Sequence, residues 1–172
     1  MMNKNSRTAL FIGITSWNSA FFLGSCLDAV MSTTRDVDTR ILVLDNDSSD
    51  RSAEIARERG IEVLNKVCSQ GNALNTLFNR SKSPYTLLLH ADVILLSPTW
   101  FNLCRARLKD NIALVSPEDI GCGPFTRPFG KDKPESSFMF FATEKLARTR
   151  IFQPSRLGPL PIPRRLVDFF GP

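Results

Sequence analysis

The chain has 172 residues, of which 42% are hydrophobic and 23% are charged, and its formal net charge is +5. This length and composition predict one globular domain with a single core, and no apolar run approaches the roughly 20 residues that span a bilayer. The four cysteines are scattered, the chain has one histidine, and no signal-peptide core follows residues 1–7, so we expect a cytoplasmic protein without a zinc site or disulfide framework.

Strands and helices are predicted to alternate along most of the chain. Short apolar runs typical of buried strands occupy residues 10–14, 40–44, 61–64 and 85–89. The first helix follows Ser19, a residue type that caps helices. Its apolar positions recur at helical spacing, at Leu23, Cys26, Leu27, Val30 and Met31.

Three further helices are predicted between and after these strands. Asp50 or a nearby serine caps the second helix, which runs through Arg59 and stops at Gly60. The third covers residues 71–81, and Ser97-Pro98 opens the fourth with proline at the first helical position. Apolar residues continue over 93–96, and two more strand candidates lie at 112–115 and 138–141. This alternation favours an α/β, Rossmann-like fold with a mainly parallel sheet flanked by helices.

The last third of the chain differs in composition from the rest. Residues 122–172 hold 9 Lys/Arg against 4 Asp/Glu, and nine of the eleven prolines lie at or beyond Pro117. We therefore divide the chain into a tail over 1–7, a domain over 8–145 and a Pro-rich basic tail over 146–172. The basic residues lack regularly interleaved aromatics, so we expect no specific nucleic-acid surface.

Two acidic motifs follow predicted strands. Asp45-Asn46-Asp47-Ser48-Ser49-Asp50 follows the second strand, and His90-Ala91-Asp92 follows the fourth. Ligands of open parallel sheets bind outside the carboxyl ends of the strands. The motifs therefore predict a polar ligand, held with the help of a divalent cation, and indicate nucleotide chemistry.

Four segments together resemble family 2 glycosyltransferases of GT-A fold. They are residues 11–18, 43–50, 70–75 and 89–92, and the resemblance covers about residues 8–116 in order. It implies a GT-A-type domain that transfers a sugar from a nucleoside-diphosphate donor to an acceptor, with inversion and with Mn²⁺ or Mg²⁺. A UDP or other pyrimidine diphosphate sugar and a glycan or lipid-linked acceptor are the expected partners, and peripheral membrane association stays open.

The donor is expected to contact all four of these segments. Asp45 and Asn46 offer acceptor and donor groups suited to a pyrimidine edge, and the resemblance assigns them to the nucleotide. Thr15, Trp17, Asn72 and His90 complete the expected donor set, with Trp17 against the base or, alternatively, half-buried in the core. An Asx-turn and helix cap would explain residues 45–50 equally well, and we expect Ser49 and Asp50 to act as caps.

The resemblance places the metal role on Asp92, which occupies the second acidic position of the family's Asp-x-Asp, and we expect His90 to assist as a second ligand. His90 stands where the family has the first Asp, and alternation along an extended chain would place both side chains on one face. Imidazole tolerates Mn²⁺ better than Mg²⁺, so His90 should weaken a hard cation. We expect the Asp92 carboxylate to be buried or half-buried beside a compensating partner.

The catalytic base is the weakest part of the resemblance. Glu118 and Asp119 are the candidates for deprotonating the acceptor hydroxyl, but their spacing to the metal motif is not diagnostic. The chain also ends early for the family, so a short form, a fragment and an inactive domain all stay open. A non-catalytic nucleotide-sugar or carbohydrate-binding domain is the main alternative, whereas missing glycine-rich loops argue against other α/β nucleotide binders.

Overall fold

The computed structural model describes residues 8–117, 136–146 and 152, in which helices flank a six-stranded sheet. The strands are β1 (Leu10–Ser16), β2 (Thr39–Asp45), β3 (Glu62–Asn65), β4 (Tyr85–His90), β5 (Leu114–Val115) and β6 (Phe138–Ala142). The helices are α1 (Ala20–Thr33), α2 (Ser52–Glu58), α3 (Gln70–Arg80), α4 (Trp100–Arg107) and α5 (Thr143–Leu146). Within these ranges no helix is long and apolar enough to cross a membrane.

The sheet has the order β3-β2-β1-β4-β6-β5. The first four strands in chain order are parallel, whereas β6 pairs antiparallel with both β4 and β5. The register places Ser16 opposite Asp45 and Thr15 opposite His90. The carboxyl ends of β1, β2 and β4 therefore meet at one edge, as the sequence predicts for a ligand site.

The core lies on both faces of the sheet because side chains of β1 alternate between them. Leu10, Ile12 and Ile14 pack on the face covered by α1 and α4, while Phe11 packs on the face covered by α3. Gly13 also faces α3, where an added Cβ would lie 2.9 Å from the Cβ of Leu77. This close approach packs the body of α3 directly against the middle of β1.

The predicted α/β architecture is confirmed, with differences in two local elements. Strand β5 covers only the last two residues of the predicted 112–115 run. The prediction that Pro98 occupies the first helical position is wrong, because α4 begins at Trp100. The Trp100 ring is buried beside Phe138 and Phe140, and its Nε1 donates to Thr33 Oγ1 at 3.2 Å. This packing accompanies the later start of α4.

Candidate functional site

A cleft of about 320 Å³ opens at the carboxyl ends of the central strands. Its wall comes from the ends of β1 and β4, the loops that follow β1 and β2, and the first turns of α1 and α3. The residues that line it are Thr15, Ser16, Trp17, Asn18, Ser19, Phe22, Leu44, Asn46, Gln70, Ala73, His90, Ala91 and Asp92. Most of these side chains are polar, which suits a polar ligand.

The structure brings most of the predicted site residues together. Thr15, Trp17, Asn46, His90 and Asp92 all line the cleft. Trp17 belongs to neither described core cluster and lines the cleft, so the alternative that placed it in the core is wrong. The other predicted residues need separate description.

Asp45 and Asn72 do not form the wall of the cleft. Asp45 is 3% exposed, and its two carboxylate oxygens accept hydrogen bonds from the Ser48 amide at 3.0 Å and the Ser48 hydroxyl at 2.6 Å. The backbone N–H of Asn72 faces the Ser69 hydroxyl, which caps α3. Glu118 and Asp119, the candidate bases, lie outside the described residues.

Side-chain hydrogen bonds join the loop after β1 to the loop after β2. The backbone N–H of Asn18 donates to Ser48 Oγ at 2.9 Å, and the backbone N–H of Ser49 donates to the side-chain Oδ1 of Asn18 at 2.8 Å. The Ser19 amide donates to Ser52 Oγ at 2.8 Å. These bonds fix one wall of the cleft, so much of the acidic motif after β2 serves the geometry of its neighbouring loop.

Asp50 accepts hydrogen bonds at the start of two helices, whereas the sequence predicts it as a cap of the second helix only. One carboxylate oxygen accepts from the Ala20 amide at 2.9 Å and the other from the Ser52 amide at 2.9 Å. Partial burial alone would raise the pKa of Asp50, but hydrogen bonds from Ser52 and Ala20 bring it below its ordinary 3.8. Ser19, the predicted cap of α1, makes no capping hydrogen bond with its side chain, and Ser49 bonds to Asn18 instead.

Asp92 lies in a turn beyond the end of β4. The extended chain stops at His90, where the Val93 amide donates to His90 O at 3.3 Å and the Ala91 amide donates to Thr15 O at 3.1 Å. The carboxylate is exposed, so the expectation that it is buried or half-buried is wrong, and strand alternation does not relate it to His90. Both residues nevertheless line the same cleft.

The Asp92 carboxylate affects the pKa of a buried thiol, that of Cys26, which lies behind the cleft. Cys26 on α1 is fully buried, with its Sγ 3.9 Å from His90 O. Burial, together with the nearby Asp92 carboxylate, raises the pKa of the Cys26 thiol to about 12. Cys26 is therefore a protonated packing residue and not a nucleophile at neutral pH.

Gln70 connects three elements of the cleft, and the sequence analysis assigned it no role. It is the first residue of α3, and its Nε2 lies 3.2 Å from Thr15 Oγ1 and 2.8 Å from His90 Nε2. Its one signal in the sequence was its place in the 70–75 segment, because its contacts join residues far apart in the chain. His90 could bind a metal through Nε2 only if the Gln70 contact were given up.

A divalent cation fits the site as an ion shared between one carboxylate, substrate phosphates and water. Among the described residues, no three His, Cys, Asp or Glu side chains form a group that could hold a metal. Mg²⁺ is commonly held by one or two carboxylates together with substrate phosphates and water. The exposed carboxylate of Asp92 in a polar cleft suits such a shared ligand set.

Comparisons with known proteins agree with the fold. Glycosyl transferase family 2 matches residues 11–156 of this chain. A mannosyltransferase from Pyrobaculum calidifontis, solved with GDP-Man and Mn²⁺, has a similar structure, with 16% identity and a TM-score of 0.66 over 84% of this chain and 47% of that one. A search of curated protein sequences found no match.

Glucosyl-3-phosphoglycerate synthase from Mycobacterium tuberculosis is also similar. Its complex with phosphoglyceric acid has 18% identity and a TM-score of 0.63 over 80% of this chain and 57% of that one. Its complex with Mn²⁺, UDP and glucosyl-3-phosphoglycerate has 16% identity and a TM-score of 0.61 over the same shares. The chain thus spans about half the length of these solved structures.

Proposed function

Because this chain belongs to glycosyl transferase family 2, we propose that it binds a nucleoside-diphosphate sugar in the cleft and transfers the sugar, with inversion, to an acceptor hydroxyl. The observation that carries the proposal is the polar cleft at the ends of β1, β2 and β4, which holds Asn46, His90 and Asp92 together. The chain spans about half the length of its structural neighbours, so the transfer step is a part of the proposal that has its own assay below.

The donor is proposed to carry uridine or another pyrimidine. Asn46 lines the cleft beside the buried Asp45, and the exposed ring of Trp17 offers a surface for a base. Neighbouring structures contain UDP in one enzyme and GDP-Man in another, so the nucleotide must be tested directly. A glycan or a lipid-linked alcohol is the proposed acceptor.

Asp92 is the proposed ligand of a divalent cation. Mn²⁺ or Mg²⁺ bound there would offset the charge of the diphosphate as the sugar leaves. His90 lies in the same cleft and would add to donor binding. The exposed carboxylate can share the ion with phosphate oxygens and water.

Transfer with inversion requires a base near the acceptor. The acceptor oxygen forms a bond to the anomeric carbon while the bond from that carbon to the phosphate oxygen breaks, and the electron pair leaves with the nucleoside diphosphate. The hydroxyl proton passes to a carboxylate, for which Glu118 and Asp119 are proposed from the sequence.

A donor-binding domain without transfer activity is the second candidate. It is favoured by one observation: Asp92 is the single carboxylate in the described wall of the cleft, and the cation would occupy it. Incubating the chain with UDP-sugars, with and without Mn²⁺, separates the two candidates. Sugar release or transfer supports the enzyme, whereas saturable UDP-sugar binding without turnover supports the binding domain.

Variants of the metal motif test the donor site itself. Asp92→Asn keeps the shape of the side chain and removes its charge, so metal-linked UDP binding should disappear while the unfolding transition stays unchanged. His90→Asp restores the family's usual pair and should tighten Mg²⁺ relative to Mn²⁺. Equal UDP affinity in wild type and Asp92→Asn, measured by calorimetry with metal present, would refute the metal role.

A further inference from the structure

We propose that Ser16 recognises the ribose of the nucleotide donor through its side-chain hydroxyl. The proposal rests on the proposed function, because the ribose belongs to the nucleoside diphosphate that is placed in the cleft there. It adds the contact that the sugar of the nucleoside makes.

The hydroxyl of Ser16 is buried and unpaired. Ser16 is 3% exposed, and among the residues that the structure describes, its Oγ is a buried side-chain oxygen with no hydrogen-bond partner. A buried polar group loses its hydrogen bonds to water, so leaving it unpaired destabilises the fold. Folded proteins therefore pair nearly all such groups.

Other buried hydroxyls of this domain are paired. Ser52 Oγ accepts from the backbone N–H of Ser19 at 2.8 Å, and Thr34 Oγ1 donates to Val30 O at 2.9 Å. Ser16 differs from Ser52 and Thr34 in its location, because it lines the polar cleft and they do not. A ligand in the cleft can therefore supply the partner that the fold does not.

The position of Ser16 in the sheet indicates which part of the donor it meets. Ser16 ends β1, the strand that lies between β2 and β4. Its carbonyl oxygen accepts from the backbone N–H of Asn46 at 2.9 Å, so Asn46 adjoins it on one side, whereas Asp92 follows β4 on the other. With the base beside Asn46 and the diphosphate at Asp92, as proposed above, the ribose that joins them crosses the end of β1.

A ribose hydroxyl suits Ser16 chemically. The 2′- and 3′-hydroxyls of ribose can each donate and accept a hydrogen bond, as the serine hydroxyl can, and none of these groups carries a charge. One side-chain torsion separates Oγ from the backbone, so rotation between staggered positions can turn the hydroxyl toward a ligand in the cleft. Ser16 thereby favours a ribonucleotide over a donor that lacks the contacted hydroxyl.

Nucleotides that lack one ribose hydroxyl test the contact directly. UDP, CDP and GDP are titrated by calorimetry with Mn²⁺ present, and the one that binds most tightly is compared with its 2′-deoxy and 3′-deoxy forms. Wild type should bind the deoxy form that lacks the contacted hydroxyl roughly three- to tenfold more weakly. Ser16→Ala should bind the ribonucleotide more weakly than wild type by the same factor, and it should no longer distinguish that deoxy form from the ribonucleotide.

Urea denaturation shows whether the hydroxyl has a structural role instead. Ser16→Ala removes an unpaired hydroxyl and should unfold at the same urea concentration as wild type or at a higher one. Ser52→Ala is the matched control, because it removes a hydroxyl that is also buried but is paired, and it should unfold at a lower urea concentration. A loss of stability in Ser16→Ala equal to that in Ser52→Ala would overturn the proposal.

The role of Ser16 and the donor site on which it rests fail in different ways. Unchanged ribonucleotide affinity in Ser16→Ala, or a wild type that binds both deoxy forms as tightly as the ribonucleotide, would overturn the role of Ser16 and leave the donor site in place. A wild type that binds none of the three nucleoside diphosphates would overturn the donor site itself, and the role of Ser16 with it.

Discussion

Asp50→Ala should destabilise the fold far more than the exposed position of this residue suggests. The carboxylate caps α1 through the Ala20 amide and α2 through the Ser52 amide, and it also accepts from the Ser52 hydroxyl. Alanine leaves both helix starts without these acceptors and removes a negative charge from two helix N-termini.

The magnitude follows from two caps. Loss of one capping side chain typically lowers the free energy of unfolding by about 1 kcal/mol, so the two helix starts together predict a loss of about 2 kcal/mol. For a domain of this size, such a change lowers the midpoint of thermal unfolding by roughly 4–8 °C. The loop containing Asn18 and Ser19 should loosen as well, because it adjoins the capped start of α1.

Urea and thermal denaturation of the variant measure this loss. Asp36→Ala is the control, because Asp36 is exposed in the turn after α1 and its replacement changes the net charge by the same amount. The control should lie within about 0.5 kcal/mol of the wild type. Equal stability of the two variants would refute the double cap.

The pH dependence gives an independent test. The pKa of Asp50 is lower in the folded protein than its ordinary 3.8, so the ionised carboxylate stabilises the fold above that value. Its contribution is lost as the pH falls through the folded pKa. The stability difference between wild type and Asp50→Ala should therefore be constant near neutrality and shrink below about pH 4. A difference that grows on acidification would contradict this assignment.

Two other substitutions and one chemical modification have specific expected outcomes. Asp45→Ala should weaken UDP binding roughly tenfold with or without metal in calorimetry, and an equal loss in Ser48→Ala would show that Asp45 acts by holding its loop. Gly13→Ala should cost about 1–3 kcal/mol in urea denaturation because its Cβ would press on α3. Gly24→Ala places a Cβ 3.1 Å from the Arg59 guanidinium, which Asp28 holds, but alanine is favoured over glycine within a helix by up to about 1 kcal/mol, so this variant should cost less than Gly13→Ala. Cys26 should resist alkylation in the native protein at pH 8 and react after denaturation, as followed by mass spectrometry, and native modification at the denatured rate would contradict its burial.

The central architecture could be predicted because local patterns and long-range packing agree there. β4 is an apolar run that is buried on both faces, and the helical spacing of Leu23, Cys26, Leu27 and Val30 matches the face that α1 buries. The start of α4 could not be predicted in the same way. Proline at a first helical position is a local preference, whereas Trp100 is placed by rings from β6, about forty residues later in the chain.

The site could be predicted in position but not in contacts. Strand ends identify the edge at which Asn46, His90 and Asp92 meet, since that follows from parallel pairing alone. The role of Gln70 depends on its distance from Thr15 and His90, which no sequence spacing reveals. Asp45 was assigned to the nucleotide because a carboxylate suits a base, but a carboxylate also suits the turn that holds Ser48. The sequence alone does not distinguish these two roles.

The antiparallel pairing of β5 with β6 affects how this domain can change during evolution. Val115 pairs with Phe140, so the chain that leaves after Pro117 returns to the same edge at Ser137, whose carbonyl holds the His90 amide. The free energy of closing such a connection rises only with the logarithm of its length, by roughly 0.6 kcal/mol per doubling. Insertions and deletions between these two anchor points would therefore leave the pairing of β5 with β6, and the sheet that forms the cleft, almost unaffected.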